Sequence, residues 1–328
     1  MEGCKRSTAG FRFKRLTLHG PTMGTRWSAT LDGPPGLQRD TLQQALAAAV
    51  QEVDALMSPW KPDSAINEFN RAETGCWIAL PAPVFEVLAA ALEINRLSDG
   101  AFDPAVGALV DAWGFGPVRD APDAAAIRAA ARPALRPTHE LLELDRATGR
   151  ARKHAAMQLD LCGIAKGYAV NRMAAVLQGH GVAHALVALD GELRALGGQA
   201  GGQPWAVALE SPEAGRRAAQ GVIALQDLAV ATSGDYRRFF DIAGQRLSHT
   251  MDTRRGAPVH GEVASVTVLA RDCMRADAWA TALLVAGPGA GLALAQRLGL
   301  EALWLLRRGG QLVQLGLGRF GAGADAPA

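Results

Sequence analysis

Hydrophobic residues recur along four stretches of the chain at the spacing of an amphipathic helix. Between residues 40 and 57 they fall on one stripe with a period of about 3.6 residues. The same pattern predicts helices over 84–97, 166–178 and 272–285. A shorter Ala-rich helix is predicted after Pro122, because proline is tolerated in the first turn of a helix.

Apolar runs of strand length lie between these helices. They are 141–145, a run from the following turn towards Leu159, 185–189, 205–209, 222–231 and 263–270, with hairpins at 239–248 and 301–315. Because strands and helices do not alternate regularly, the order favours an α+β fold over a doubly wound sheet. We expect an N-terminal extension without order at 1–20, one domain at 21–320 and a flexible tail at 321–328.

A glycine-rich stretch at 287–291 superficially resembles a dinucleotide-binding fingerprint. The run before it is helical in pattern, and no acidic residue follows at the distance which that fingerprint requires. We therefore interpret the stretch as a turn between two helices.

The overall charge of the chain excludes one class of partner. The 328 residues contain 34 Lys and Arg against 32 Asp and Glu, which gives a net charge of +2. Nucleic-acid binding needs a clustered basic excess, so no nucleic-acid partner is expected. Four cysteines, at positions 4, 76, 162 and 273, lack metal-ligand spacing and are predicted to be separate thiols.

The N-terminal region and the apolar runs bear on the compartment. The first 20 residues are basic and contain no apolar run of signal-peptide length, and no stretch of the chain approaches a membrane span. We expect a cytoplasmic protein from the sequence as written. With an export signal upstream, Gly3-Cys4 would resemble a lipoprotein cleavage site, and a periplasmic protein or inner-membrane lipoprotein would be expected instead.

Three groups of residues, called constellations below, contain side chains suited to metal binding, phosphate binding or catalysis. Asp277 and Thr281 are four residues apart on a predicted helix and share a face, where a carboxylate and a hydroxyl suit a hard cation such as Mg²⁺. The alternative is an aspartate that stabilises a helix start through the dipole, with threonine as filler.

The second constellation runs from Asp160 to Tyr168, where a strand ends, a turn contains glycine and a helix begins. Free N–H groups at a helix start attract phosphate, and Lys166 adds a positive charge. The spacing is not that of a Walker A loop. The alternative is a tight turn with Lys166 in solvent.

In the third constellation, His249 lies three residues before Asp252. A histidine beside a carboxylate can act as a general base near neutral pH. The alternative is a structural or exposed histidine, as most of the seven histidines in the chain are expected to be.

Taken in order, these and other segments resemble the ApbE-like FAD:protein FMN transferases. The series covers most of the chain and consists of PTMGT at 21–25, MSPWKPDS at 57–64, AFDP at 101–104, WGFGP at 113–117, DLCGIAKG at 160–167, TSGDY at 232–236, SHTMD at 248–252 and ADAWAT at 276–281. Each segment alone is weak evidence, whereas the ordered series is specific.

The resemblance implies a fold, a substrate and a site. The fold would be a single mixed α+β domain of the T-fold-like flavin transferase architecture, with FAD as substrate and Mg²⁺ as cofactor. The residues implied around FAD are Met23, Trp60, Ala101, Phe102, Asp103, Asp160, Lys166 and Met251. The metal would be held by the side chains of Asp277 and Thr281, helped by backbone oxygens of Gly163 and Ala280.

The implied reaction is attack by a Ser or Thr hydroxyl of an acceptor flavoprotein on the FMN phosphorus of FAD, which releases AMP. His249 would be the general base, and Asp252 its orienter or an alternative base. The acceptor implied by the family belongs to an electron-transfer complex. Two rival functions stay open, namely an FAD pyrophosphatase that gives FMN and AMP, and a non-catalytic FAD-binding accessory protein.

Two segments depart from the family pattern. After Asp252 the chain has Thr253-Arg254-Arg255-Gly256, where the family often has Pro-x-Thr-Gly. The two arginines there would suit an acidic acceptor or a phosphate. Asp190-Gly191 replaces a usual glycine pair.

Overall fold

The computed structural model describes residues 13–131, 136–213, 218–237, 239–242 and 245–321. The helices in these ranges are α1 (Arg39–Met57), α2 (Ala65–Arg71), α3 (Ala82–Leu97), α4 (Gly107–Ala112), α5 (Ala124–Ala130), α6 (Thr138–Leu141), α7 (Ala165–Gly179) and α8 (Cys273–Leu298). Short 3₁₀ turns lie at Pro104–Val106 and Gly318–Phe320. The four long predicted helices are therefore present.

The strands of the described residues include several pairs that the sequence pattern did not predict. They are β1 (Lys14–Thr22), β2 (Thr25–Gly33), β3 (Ile78–Ala79), β4 (Leu142–Asp145), β5 (Arg150–Lys153), β6 (Ala185–Leu189), β7 (Glu192–Leu196), β8 (Trp205–Glu210), β9 (Ala219–Leu225), β10 (Ala229–Gly234), β11 (Phe239–Ile242), β12 (Gln245–Ser248), β13 (Met251–Asp252), β14 (Ala257–Pro258), β15 (Val263–Ala270), β16 (Glu301–Arg308) and β17 (Gln311–Gly316). The expected domain start at residue 21 falls inside β1, so residues 14–20 belong to this strand. Residues 1–12 and 322–328 of the expected extension and tail lie outside the described residues.

Eight strands form one antiparallel sheet in the order β1-β2-β6-β7-β10-β15-β16-β17. Helices α1, α7 and α8 pack on one face of this sheet, and the β8–β9 hairpin packs on the other. Strand β15, which has a neighbour on each side, is buried on both faces, and this explains why its sequence is apolar except for the buried Ser265 and Thr267. The mixed α+β architecture predicted from the sequence is confirmed.

Two sequence predictions differ from the structure in their boundaries. The run 222–231 is two strands, since β9 ends at Leu225 and β10 begins at Ala229. Asp227 lies between them in the left-handed region, with φ of 52°. The strand expected to run towards Leu159 ends at Lys153, whose buried ammonium donates to the carbonyls of Phe69 and Asn70.

Helix α8 corrects the expectation that no stretch approaches a membrane span. Residues 273–298 are long and apolar enough to cross a membrane by length and composition. About half of this stretch is buried inside the protein, and the core helix of a globular domain gives the same signal. The helix bends at Gly287, where φ is 74°, so the predicted turn between two helices is present as a kink.

Close packing of α7 against α8 decides where the charged residues of the site lie. A Cβ atom at Gly167 would lie 2.3 Å from the carbonyl oxygen of Cys273 and 2.8 Å from Cβ of Asp277. Only glycine therefore allows the two helices to approach this closely. Asp272 caps the start of α8 by accepting a hydrogen bond from the backbone N–H of Arg275 at 2.8 Å. The contact brings the first turns of both helices together.

Candidate active site

One cavity of about 1310 Å³ opens beside the start of α7 and α8. It gathers residues from distant segments, and twelve of the fourteen site residues expected from the sequence line it. These are Met23, Trp60, Ala101, Phe102, Asp103, Asp160, Gly163, Lys166, His249, Met251, Asp277 and Thr281. Asp252 and Ala280 are not among the lining residues.

One wall of the cavity, called the buried wall, is formed by Lys166, Glu192, Asp277 and Thr281. The Lys166 ammonium contacts Oε1 of Glu192 at 2.7 Å and Oδ2 of Asp190 at 3.6 Å. Asp277 is 3% exposed, and its Oδ2 accepts a hydrogen bond from the backbone N–H of Gly167 at 2.9 Å. The lysine is therefore held among carboxylates, which excludes the alternative that placed it in solvent.

Burial controls the protonation of this wall. Loss of solvent raises the pKa of Asp277 to about 6, and it raises the pKa of Glu192 to about 8 despite the nearby lysine. Burial by itself lowers the pKa of Lys166, but the charges of Glu192, Asp277 and Asp190 outweigh it and leave the pKa raised. A second cation beside these carboxylates would offset their negative charge.

The oxygen atoms of the buried wall fit a divalent cation that takes its remaining ligands from the phosphates of a substrate. Oε2 of Glu192 is buried without a hydrogen-bond partner among the described residues. Thr281 Oγ1 lies 3.0 Å from Oγ of Ser233, and a Cβ atom at Gly163 would lie 3.3 Å from the same threonine oxygen. Within the described residues, no three His, Cys, Asp or Glu side chains form a metal cluster. Mg²⁺ typically takes one or two carboxylates together with substrate phosphates, so this set is compatible with it.

The turn before α7 differs from a simple phosphate-binding helix start. Oδ1 of Asp160 accepts from the backbone N–H of Cys162 at 2.7 Å and shapes the turn. The N–H of Ala165 donates to the carbonyl of Leu161, and that of Gly167 donates to Asp277. Two N–H groups that were expected to attract phosphate are therefore already hydrogen-bonded within the protein. Lys166 remains as the positively charged group of this segment.

The rim of the cavity carries the first residues expected around FAD. Met23 and Gly24 form the two-residue turn between β1 and β2, and both have positive φ, of 47° and 69°. Left-handed backbone costs a non-glycine residue about 1 kcal/mol, so Met23 is held in a strained conformation where it lines the cavity. Trp60 lines the same rim and is 47% exposed, and an indole ring at such a place can contact an aromatic ligand.

Asp103 links the rim to the segment after Asp252. Its Oδ1 accepts from the N–H of Ala105 and from the hydroxyl of Thr138, and its Oδ2 accepts from the hydroxyl of Thr253 at 2.8 Å. Thr253, one of the departures from the family pattern, therefore makes a specific contact. Asp103 is occupied by protein donors and shapes the cavity through them.

The outer wall, formed by Phe115, His249, Thr250 and Met251, lines the cavity from the loop that follows α4 and from the residues that lead into and begin β13. The His249 ring lies 6.3 Å from the Phe115 ring between centroids, in an edge arrangement. Asp252 is turned away, since its carboxylate accepts three hydrogen bonds from Arg254, one from the backbone N–H and two from the guanidinium. The expected pairing of His249 with Asp252 is therefore not seen.

Asp190, Glu192, Ser233 and Arg237 are polar lining residues that sequence reasoning did not assign to the site. The guanidinium of Arg237 forms ion pairs with Asp190 and with Glu210. Two signals in the sequence pointed to these parts of the chain, namely the departure at Asp190-Gly191 and the TSGDY segment at 232–236. Asp190 adopts a left-handed φ of 55°.

Comparisons with known proteins identify the family of the chain. The ApbE family model matches residues 23–304. A curated FAD:protein FMN transferase of Vibrio cholerae is 35% identical over 94% of this chain and 90% of its own length, and one of Escherichia coli K12 is 32% identical over 89% and 84%. The apo crystal structure of the Pseudomonas stutzeri flavinyl transferase ApbE matches with a TM-score of 0.83 at 36% identity, over 93% of this chain and 95% of its own.

Proposed function

The chain belongs to the ApbE family, and we infer that it is an FAD:protein FMN transferase, an enzyme that moves FMN from FAD to an acceptor protein. One observation carries the assignment of the site. A single cavity brings Lys166, Asp277 and Thr281 together with Met23 and Trp60, which lie far apart in the sequence. A cavity that joins a charged, buried wall to an aromatic rim suits a dinucleotide whose pyrophosphate links two ring systems.

In the reaction we propose, the oxygen of an acceptor Ser or Thr bonds to the FMN phosphorus of FAD. The bond between that phosphorus and the oxygen bridging to the AMP phosphate breaks, and AMP leaves with the bridging oxygen. The hydroxyl proton passes to a base of the protein. The product is a phosphoester between FMN and the acceptor, and no oxidant or reductant is needed.

The metal site is a proposal that rests on the donor set of the buried wall. The side chains of Asp277 and Thr281 would hold Mg²⁺, with backbone oxygens of Gly163 and Ala280 beside them. Support comes from the buried carboxylate of Asp277 and the exposure of both side chains to the cavity. When bound, Mg²⁺ supplies positive charge that neutralises the pyrophosphate oxygens as charge develops.

Lys166 is the group of this chain that we propose for binding the pyrophosphate. Its ammonium is fixed on one side by Glu192 and Asp190, while its side chain still lines the cavity. A lysine held in this way meets an anion without first losing rotamer freedom. Its raised pKa keeps it charged throughout the neutral range.

His249 is the base that we propose for the acceptor hydroxyl. The residue lines the cavity from the outer wall, where we place the entry of the acceptor. A serine or threonine hydroxyl is a weak nucleophile at neutral pH, so a positioned base contributes about 10²–10⁴-fold. For the acceptor itself we propose a flavoprotein of an electron-transfer complex, which the family resemblance supports.

A direct test combines FAD, Mg²⁺ and the protein with and without a candidate acceptor. We expect AMP release together with a gain of one FMN in the intact mass of the acceptor. Omission of Mg²⁺ with a chelator present should stop both. AMP and free FMN without an acceptor adduct would indicate an FAD pyrophosphatase, and bound but uncleaved FAD would indicate an accessory protein.

A further inference from the structure

Strand β8 offers an unpaired edge to the cavity. Among the described residues, β8 pairs with β9 alone, in a two-stranded ribbon separate from the main sheet. Four consecutive β8 residues, at positions 207–210, all line the cavity. Neighbouring residues of a strand point to opposite faces, so four in a row reach one cavity only where the backbone edge faces it. An exposed edge of this kind is a template for another strand.

The cavity has room for more than one small molecule. Its volume of about 1310 Å³ exceeds the roughly 300–1000 Å³ of ordinary ligand sites. The residues proposed for FAD lie at the rim near Met23 and Trp60, at positions 101–103 and Asp160, at Lys166 of the buried wall and at Met251 of the outer wall, and none of them lies on β8. The β8 edge lies on the part of the cavity lined by Glu210, Ala218 and Tyr236, for which FAD binding supplies no role.

Two hydrogen bonds and the short stretch of chain between them connect the β8 edge to Thr281, one of the proposed metal ligands. Oγ of Ser233 lies 3.0 Å from Oγ1 of Thr281 in the buried wall. Tyr236 follows three residues later, at most about 10 Å along an extended chain. Its hydroxyl donates to Oε2 of Glu210, the last residue of β8, at 3.2 Å. A strand laid along β8 would therefore end within a few residues of Thr281.

We propose that the unpaired edge of β8 binds an extended segment of the acceptor protein as an added strand, and so delivers its Ser or Thr hydroxyl to the cavity. The proposal rests on the transferase function inferred above. Main-chain hydrogen bonds would give the affinity, as in other cases of strand addition. The exposed face of β8 carries the small side chains of Ala206 and Ala208 and, at the end of the strand, the partly exposed Glu210. The two alanines leave the edge before Glu210 open to an incoming backbone.

Peptides provide the first test because the proposal requires only a short extended segment. The probe is a set of blocked peptides of roughly ten residues, long enough for one strand, each with a central Ser or Thr. FMN transfer is followed by peptide mass, and AMP release is followed in parallel. The best peptide is then N-methylated at each amide in turn. We expect transfer to fall about tenfold or more at alternate amides, because only alternate N–H groups of an added strand face β8.

A matched pair of variants provides the second test. Ala206 and Ala208 are exposed alanines on the same face of β8, but only Ala208 lines the cavity. Ala208→Phe should raise the KM for the peptide about tenfold above that of Ala206→Phe. Both variants are checked for folding by thermal unfolding.

The outcomes separate this proposal from the function on which it rests. AMP release without transfer to any peptide, equal tolerance of N-methylation at every amide, or equal effects of the two phenylalanines would each overturn strand addition and leave the transferase standing. Absence of both AMP and any FMN adduct, with a folded protein that still binds FAD, would contradict the transferase function, and the proposal would fall with it.

Discussion

The buried wall and the outer wall of the cavity are built in different ways. Glu192 and Asp277 of the buried wall are 1% and 3% exposed. Asp277 is held by the close packing of α8 on Gly167 of α7, and Glu192 is held at the start of β7 in the main sheet. The outer wall carries His249 beside β13 and β14, a pair of two-residue strands. In the proposed reaction each FAD brings the same pyrophosphate to the buried wall, whereas the outer wall must admit a segment of an acceptor protein. Rigid packing on one side and short strands on the other suit these two demands.

The largest effect is expected from Asp277→Ala, which tests the buried wall. If Asp277 holds the metal, its loss removes several kcal/mol of charge stabilisation, and turnover should fall about 10³-fold or more. FAD binding, measured by calorimetry, should partly survive. AMP release with saturating FAD and an acceptor is the measurement.

Asp272→Ala is the matched control for this variant, since it removes another carboxylate from the start of the same helix. Loss of that N-cap should cost about 1 kcal/mol of unfolding free energy and leave turnover near that of the wild type. Normal activity of Asp277→Ala at limiting Mg²⁺ would show that the metal lies elsewhere.

The next effect tests the outer wall through His249→Ala. As a base, His249 should be needed for transfer and not for FAD binding, so the single-turnover rate at saturating FAD should fall about 10²-fold or more. The rate is measured from pH 5.5 to 9, and the wild-type dependence on a basic group should vanish in the variant. His260→Ala, an exposed histidine in the same part of the chain, is the control.

A binding role would give the opposite pattern. His249→Ala would then weaken FAD affinity while the rate at saturating FAD and its pH profile stayed close to wild type. That result would remove the general base from the outer wall and leave only the buried wall with a chemical role.

The stability of the metal-free protein should depend on pH through the buried wall. The pKa of Asp277 is about 6 in the folded protein against an ordinary value of 3.8. The folded state therefore binds the proton more tightly, and the unfolding free energy should fall as the pH rises from about 4 to about 6. The shift corresponds to about 3 kcal/mol, and the raised pKa of Glu192 extends the same trend towards pH 8.

Urea unfolding in the presence of a chelator measures this dependence. Asp277→Asn should lose the part of the slope between pH 4 and 6, and it should be more stable than the wild type at pH 7. Mg²⁺ should raise the unfolding free energy of the wild type at pH 7 and not that of Asp277→Asn. A wild-type slope that is unchanged in Asp277→Asn would contradict the assignment.

The difference between the buried wall and the outer wall also explains which site residues could be predicted from the sequence. Asp277 and Thr281 were found because helical spacing places residues four apart on one face, a purely local rule. Glu192 was missed because its contact with Lys166 joins β7 to α7, and only the packing of the sheet against the helix creates it. Lys166 was left undecided between phosphate and solvent for the same reason.

The predicted pairing in the outer wall differs from the structure for another reason. His249 and Asp252 are close in sequence, but spacing alone does not reveal that Arg254 competes for the carboxylate. The helices were predicted well because their apolar stripes are long. The β1–β2 hairpin was missed because Met23-Gly24 is an unusual pair for a turn with positive φ at both positions.

The smallest effect is expected from Asp252→Asn, which asks whether Asp252 belongs to the outer wall at all. In the structure its carboxylate shapes the loop through three hydrogen bonds from Arg254, a residue whose side chain is 42% exposed. Solvent screens this pair, so the substitution should lower the unfolding free energy by about 1 kcal/mol. The rate of FMN transfer at saturating FAD and its pH profile should remain those of the wild type.

Arg254→Gln removes the same contact from the other side and is the matched control. If the pair acts as a loop clamp, each variant should cost about the same stability, and the double variant should cost clearly less than the sum of the two. A loss of rate in Asp252→Asn comparable to that of His249→Ala, with stability unchanged, would contradict the clamp. Because Arg254→Gln leaves the carboxylate in place, it should then keep the wild-type rate, and the orienting or basic role would return to Asp252 itself.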